Sequence, residues 1–128
     1  PQLSIPLLAS GDLFSAEDGL RVQSATGVSG VMYARGALHD PTIFAAHRAL
    51  QRGETPPPVT PQRLRAVIDR HISLARRHCS DDAVLWKMRS VVPRYVKHLP
   101  GARALRHALC QCTDWTALQD ILEEFLPL

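Results

Sequence analysis

No stretch of this chain approaches the ~18–20 uninterrupted apolar residues of a helical membrane span, and no charged, apolar and small-residue leader opens it. A membrane partner is therefore not expected. Cysteine is scarce: Cys79, Cys110 and Cys112 are the only three, an odd number without the spacing of a disulfide framework. That favours reduced thiols and a cytoplasmic location. Cys110 and Cys112 lack a second matched pair, with only His107 nearby, so no metal site is expected. Aromatic residues make up 5% of the chain, and Trp86, Trp115 and Phe125 fall at or near apolar helical positions. They read as core packing rather than as a base-stacking surface. Internal repeats and low-complexity tracts are absent.

What is present is an uneven distribution of charge. The whole chain carries a formal net charge of +3. Up to residue 58, Arg21, Arg35, Arg48 and Arg52 are outweighed by Asp12, Glu17, Asp18, Asp40 and Glu54. From 63 to 106 the order reverses: eleven Lys and Arg residues face only Asp69, Asp81 and Asp82, a net of +8. After residue 106 the charged residues are all acidic. A basic middle is the footprint of a polyanion binder, and equally of an Arg-rich sequence with solvated helix faces. Charge alone leaves both open.

Hydrophobic patterning divides the chain in two. An apolar run from Ile5 to Ala9 enters a Gly-Asp turn, and Ser15 starts a helix. A second run, Val31 to Ala34, enters an Arg-Gly turn, with a helix expected from near Asp40. Gly53 can end that helix, and the run Pro56 to Pro58 stiffens the join. Beyond it, Thr60-Pro61 opens a helix carrying Leu64, Val67, Ile68, Ile72 and Ala75, with His71 beside that stripe as a core histidine. Ser80, Asp81 and Asp82 open a second, with Val84, Leu85, Met88, Val91, Val92 and Tyr95 apolar and a kink or break expected at Pro93. Leu99-Pro100-Gly101 is a stop. Helices follow over 102–111 and from Thr113 or Asp114 onward. Tyr95, beside Arg94 and Lys97, fits either a core or an RNA-facing role.

The expected fold class is therefore an α/β fragment plus an all-α part, predominantly helical overall. Two strand–loop–helix units cannot close a barrel or a doubly wound sheet, because parallel strands need neighbours on both edges and cover on both faces. The chain is expected to be the carboxyl-terminal end of a larger α/β protein, with residues 1–55 the remnant of its α/β domain and 59–128 a small four-helix bundle. Exposed strand edges would favour self-association.

Each strand ends in a small-residue turn, Ser10-Gly11-Asp12 and Ala34-Arg35-Gly36. Loops at the carboxyl ends of parallel strands bind ligands, and the last two of an eight-stranded barrel often cradle a phosphate. Glycine and alanine let backbone N–H groups approach an anion, and an arginine adds a charged fork. The same residues could instead form tight turns, with Arg35 in a structural ion pair.

The run IPLLASGDLFSAEDGLR, followed by SGVMYARGALHDPTIF, resembles the end of the barrel of tRNA-dihydrouridine synthases. That family reads close to IPV-I-A-N-G-D-I and then G-V-M-I-G-R-G-A-x-G-x-P-W-I-F. The likeness continues through Lys87-Met88-Arg89, Tyr95, Lys97, Leu99-Pro100-Gly101-Ala102 and Leu105-Arg106, against M-R-K-H-x-x-W-Y-x-K-G-L-P-G-A-x-x-L-R. The resemblance implies an FMN-binding TIM (β/α)8 barrel, of which the first part supplies the last two βα units, followed by a helical domain that docks tRNA. It implies reduction of the 5,6 double bond of selected uridines, with NADPH as electron source. Residue by residue, Ser10, Gly11, Asp12, Ala34 and Arg35 would hold the flavin phosphate. Lys87, Arg89, Lys97 and Arg106 would face tRNA phosphates.

Several positions depart from the pattern: Ser10 stands for Asn, Ala34 for Gly, Ser90-Val91 for Lys-His, Arg94 for Trp, and His39-Asp40 for a Gly-containing turn. Ala34 permits close backbone approach only with negative φ. The family's proton-donating cysteine and a flavin-side lysine lie on earlier barrel segments without counterpart here, so no catalytic residue is assigned. The chain is expected to be inactive alone and not to retain FMN. The alternative is a non-catalytic RNA-binding helical module with a vestigial flavin half. A third reading, another FMN barrel with a different substrate, is opposed by the Lys-Met-Arg and Leu-Pro-Gly-Ala run.

Overall fold

The computed structural model describes residues 4–128, as two compact units, one ending at Pro58 and the other spanning Val59–Leu128. In the first, strand β1 (Leu8–Ser10) pairs in parallel with β2 (Gly30–Met32), in the register Leu8 to Gly30, Ala9 to Val31 and Ser10 to Met32. Both strands are shorter than the apolar runs predict. The chain between them forms helix α1 (Ala16–Thr26), started by a reciprocal cap in which Ser15 Oγ accepts from the Asp18 N–H and Asp18 accepts from the Ser15 N–H. Ser15 and Arg21 together hold the Asp18 carboxyl below its ordinary pKa. Gly27, at φ 69°, ends the helix in the left-handed region.

After β2 the sequence reading is corrected. Arg35 and Gly36 are not a turn but the start of a short helix, α2 (Arg35–His39), with Ala34 before it. Asp40 does not start the next helix. It ends α2 in extended conformation, as a residue preceding proline favours, and its carboxylate accepts from the Thr42 N–H and hydroxyl at 2.8 and 2.6 Å. Helix α3 (Ile43–Gln51) begins only beyond that turn. Leu13, Ala16, Tyr33 and Ile43 form the core of this unit. Gly19 admits the Tyr33 ring: a Cβ there would lie 1.9 Å from the phenol oxygen. That oxygen sits 2.5 Å from His47 Nδ1, and His47 Nε2 in turn meets Gln23 Oε1 at 3.2 Å. Ile5, Leu7, Leu8 and Met32 are exposed, so the sheet has an apolar surface uncovered within this unit.

The second unit is built from helices α4 (Pro61–Arg76), α5 (Asp81–Tyr95), α6 (Ala102–Gln111) and α7 (Trp115–Phe125), each packed on the next. Thr60 and Asp114 cap α4 and α7 through their side chains. Gly101 precedes α6 with φ 78°. Pro93 removes one backbone donor, yet α5 is not broken there and continues to Tyr95, its last residue. Leu64, Ile68, Met88, Val92, Leu109, Leu118 and Leu122 are fully enclosed in one core. Trp115 and Phe125 pack against it, as their spacing predicts. Trp86 does not: it is 67% exposed, because the buried stripe of α5 runs through Val84, Leu85, Met88, Val91 and Val92 and leaves position 86 outside it.

Arg65 is likewise not part of a solvated basic face. Its side chain is 6% exposed and reaches Asp69, Glu123, the Leu126 carbonyl and the Gln119 amide oxygen. No helix among the described residues is long and apolar enough to cross a membrane.

Candidate functional site

The two strand ends of the first unit enclose one small cavity of about 170 Å³, lined by Ser10, Gly11, Asp12, Leu13, Phe14, Met32, Ala34, Arg35 and Gly36. All five residues expected at the flavin phosphate are among them. The backbone explains how the turn after β1 and the start of α2 meet. Gly11 has φ 133° and Asp12 φ 44°, so the chain leaves β1 through two consecutive positive-φ residues. Glycine adopts that geometry without strain, and Asp is among the side chains that tolerate it. Ala34 has φ −89°, which an L-residue with a Cβ adopts freely. The alanine in place of the family's glycine therefore leaves the backbone path open.

Gly36, expected as a turn residue, has a different part here. A Cβ at this position would lie 2.2 Å from the Leu13 carbonyl oxygen, so the start of α2 is pressed directly on the segment following β1. Only glycine permits that approach. Its sequence signal was the Arg-Gly pair, read as turn chemistry rather than as backbone-to-backbone contact.

Arg35 is the one cationic side chain lining the cavity. Its guanidinium donates to the Asp12 carboxylate and lies 5.4 Å from the centre of the Phe14 ring. Both partners of the ion pair remain largely solvent-exposed, so the pair itself contributes little to stability. The structural ion pair is present and both its members line the cavity together with Gly11 and Gly36, although the Arg-Gly pair opens a helix instead of forming a tight turn. The volume suits a phosphate group and falls well short of the ~300–1,000 Å³ that encloses a drug-sized ligand. The lining offers one guanidinium, from Arg35, and one hydroxyl, from Ser10, beside the Asp12 carboxylate. The chain's three thiols, Cys79, Cys110 and Cys112, all belong to the second unit.

The four residues expected to face RNA are distributed unequally over the second unit. Lys97 and Arg106 come together with Arg103, Pro93 and Ala102 around a cavity of about 160 Å³. Arg103 was counted in the basic stretch but not singled out; its position three residues before Arg106 places both on one helix face. Lys87 lies elsewhere, in an apolar groove with His71, Ala75, Cys79, Ala83, Val84 and Met88. Arg89 is committed to the fold: it donates to the Leu109 carbonyl at 3.2 Å and to the Cys110 carbonyl, at the end of α6.

Tyr95, left open between core and RNA, is buried, with its hydroxyl 3.2 Å from His71 Nδ1. Burial, with a smaller effect of the Lys87 charge, lowers the His71 pKa, and burial raises that of Tyr95. Cys110 is exposed, whereas Cys112 is buried with its thiol donating to the Asp114 carbonyl at 3.4 Å. Burial pushes the Cys112 thiol pKa up, as expected of an unreactive structural cysteine.

Residues 1–127 match the family model described as dihydrouridine synthase. The chain is 33% identical over 121 residues to a probable tRNA-dihydrouridine synthase of Mycobacterium tuberculosis, an alignment covering 94% of this chain and 31% of that protein. A protein of the same description from Mycobacterium leprae is 33% identical over 107 residues, covering 83% of this chain and 28% of the relative. Probable tRNA-dihydrouridine synthase 1 of Synechocystis is 29% identical over 123 residues, covering 95% and 34%. The chain thus spans about a third of the length of these curated relatives.

Proposed function

The chain belongs to the dihydrouridine synthase family, and from that premise we propose that it is the carboxyl-terminal part of an FMN-dependent tRNA-dihydrouridine synthase. Residues 1–55 are the last two βα units of its (β/α)8 barrel, and 59–128 form a four-helix domain that docks tRNA. The observation that carries the first half is the convergence of Ser10, Gly11, Asp12, Ala34 and Arg35 on one phosphate-sized cavity at two parallel strand ends. Arg35 offers its guanidinium, Ser10 a hydroxyl, and Gly11 and Gly36 bring backbone close to the anion. FMN supplies hydride transfer to the uracil ring when bound, with NADPH as its reductant. Further barrel strands would pair with the free edges of β1 and β2 and cover Ile5, Leu7, Leu8 and Met32; without them the same surface favours self-association.

Because no thiol of the chain lies at the cavity, the proton donor for the uracil C5 comes from elsewhere in the enzyme, and the chain alone is inert. With only the phosphate end provided for, it is not expected to hold FMN tightly. Its own contribution to catalysis is to fix the cofactor's phosphate and to anchor the RNA while a uridine leaves its stack.

The second half rests on α5 and α6. Between Ala83 and Thr113 the sequence contains no Asp or Glu, while Lys87, Arg89, Arg94, Lys97, Arg103 and Arg106 all fall there. Titrating labelled tRNA with the 128-residue chain at several salt concentrations tests this. Binding should weaken steeply with salt, as phosphate contacts require. Replacing Lys87, Arg89, Lys97 and Arg106 together by alanine should flatten the log–log slope by roughly 2–3, since about 0.7–0.9 is lost per phosphate contact and Arg89 is held by backbone carbonyls. A chain that fails to bind at low salt, or a variant with the parent's slope, would refute the docking role.

A further inference from the structure

Trp86 is one of two tryptophans, and only Trp115 belongs to the core; Trp86 is 67% exposed. A single exposed apolar residue is ordinary. This one is not isolated. The Arg89 guanidinium lies 4.4 Å from the centre of its indole ring. Arg89 is itself fixed by the Leu109 and Cys110 carbonyls. One ring face is therefore braced by a cation that is anchored to the next helix, and the rest of the residue stays open to solvent.

The surroundings specify a ligand by charge. Arg89 and Pro93 follow Trp86 at three and seven residues along α5, on one helix face. Pro93 also lines the cavity shared by Lys97, Arg103 and Arg106. The rise of α5 separates Trp86 from that cavity by about 10 Å, roughly three stacked nucleotides at ~3.4 Å each. Three cations around one cavity, in a segment free of carboxylates, form an anion site. An open indole in register with an anion site matches the repeating unit of a nucleic-acid strand, a flat base on a charged backbone.

We propose that Trp86 is a stacking platform for an unpaired nucleobase of RNA, with the Lys97, Arg103 and Arg106 cavity taking a phosphate of the same strand. The inference rests on the RNA-docking reading and adds to it a base contact where that reading has only phosphate contacts. Stacking of this kind accepts any base, because each has a π face, so the platform holds a splayed nucleotide without selecting its identity.

Two short single-stranded RNAs of equal length test it, one with bases and one abasic along its whole length, each titrated by anisotropy at one salt concentration. Trp86→Ala in the 128-residue chain should weaken binding of the base-bearing strand roughly 10–100-fold and leave abasic binding within about twofold. Trp86→Phe should restore most of the loss. In a Trp115→Phe background, the remaining indole emission should be quenched saturably by the base-bearing strand and not by the abasic one. Unchanged binding of both strands to Trp86→Ala would overturn the platform and leave the residue to a protein contact. Equal weakening of both strands would overturn it too, since Trp86 would then act only by positioning Arg89. A parent chain that binds neither strand would overturn the platform, while the tRNA titration above decides the docking reading separately.

Discussion

Gly36→Ala is expected to disrupt the first unit. The added methyl carbon would sit 2.2 Å from the Leu13 carbonyl oxygen, far inside contact distance, and the obstacle is backbone rather than a side chain that can turn away. Overpacking costs about 1–3 kcal/mol, sometimes more, and a backbone clash belongs at the upper end. The unit has fewer than sixty residues, and among the described ones its core cluster is Leu13, Ala16, Tyr33 and Ile43. At ~0.05–0.15 kcal/mol per residue its stability is only a few kcal/mol, so the substitution removes a large part of it. If the unit survives by letting the Leu13 segment move, the Asp12–Arg35 pair opens and the cavity loses its shape. Amide hydrogen exchange over residues 13–26 should accelerate strongly, while the Trp86 and Trp115 signals of the second unit stay unchanged. Gly27→Ala is the comparison: φ is positive there, unlike at Gly36, but nothing lies within 4 Å, so only about 1 kcal/mol of backbone strain is expected. Equal exchange rates in Gly36→Ala and the parent would show that the two turns are not in contact.

Arg65→Ala should produce the largest loss in the second unit. The guanidinium is 6% exposed and ties α4 to the end of the chain through Glu123 and the Leu126 carbonyl, at 3.1 and 3.0 Å, besides pairing with Asp69. Breaking a buried pair by removing one member costs ~3–5 kcal/mol. Asp69 and Glu123 are partly exposed and can rehydrate, which moderates the cost; the Leu126 carbonyl belongs to a residue that is 1% exposed and regains less. A cost of about 3 kcal/mol follows, lowering Tm by roughly 10–20 °C for a unit of this size. Arg65→Lys should recover only part of it, because one ammonium cannot replace a fork aimed at acceptors on four residues. A variant within ~0.5 kcal/mol of the parent would mean that the network is incidental.

Local signals in the sequence located what local chemistry controls. Thr60-Pro61, Gly53, Gly101 and Asp114 mark their helix ends because capping is settled within a few residues. The Gly11-Asp12 turn after β1 was legible for the same reason. What escaped depends on partners far along the chain. Gly36 is a close-approach glycine only because Leu13 lies against it. Arg65 looked like one more surface cation, although it shares a stripe with Ile68 and Ile72 at three and seven residues, which placed it inward. Its partners Glu123 and Leu126 lie at the other end of the unit. Trp86 stands next to the apolar positions Val84, Leu85, Met88 and Val91, which suggests the core, but one step off their stripe the helix turns it to solvent.

Docking of RNA on α5 and α6 is tested most directly by amide NMR of the isotope-labelled chain during titration with a tRNA stem–loop. Shifts should concentrate between Trp86 and Arg106, led by Lys97, Arg103 and Arg106, with α7 and the turns at 10–12 and 34–36 unmoved. Shifts confined to those turns or to α7, or spread evenly over the chain, would contradict an RNA face on these helices.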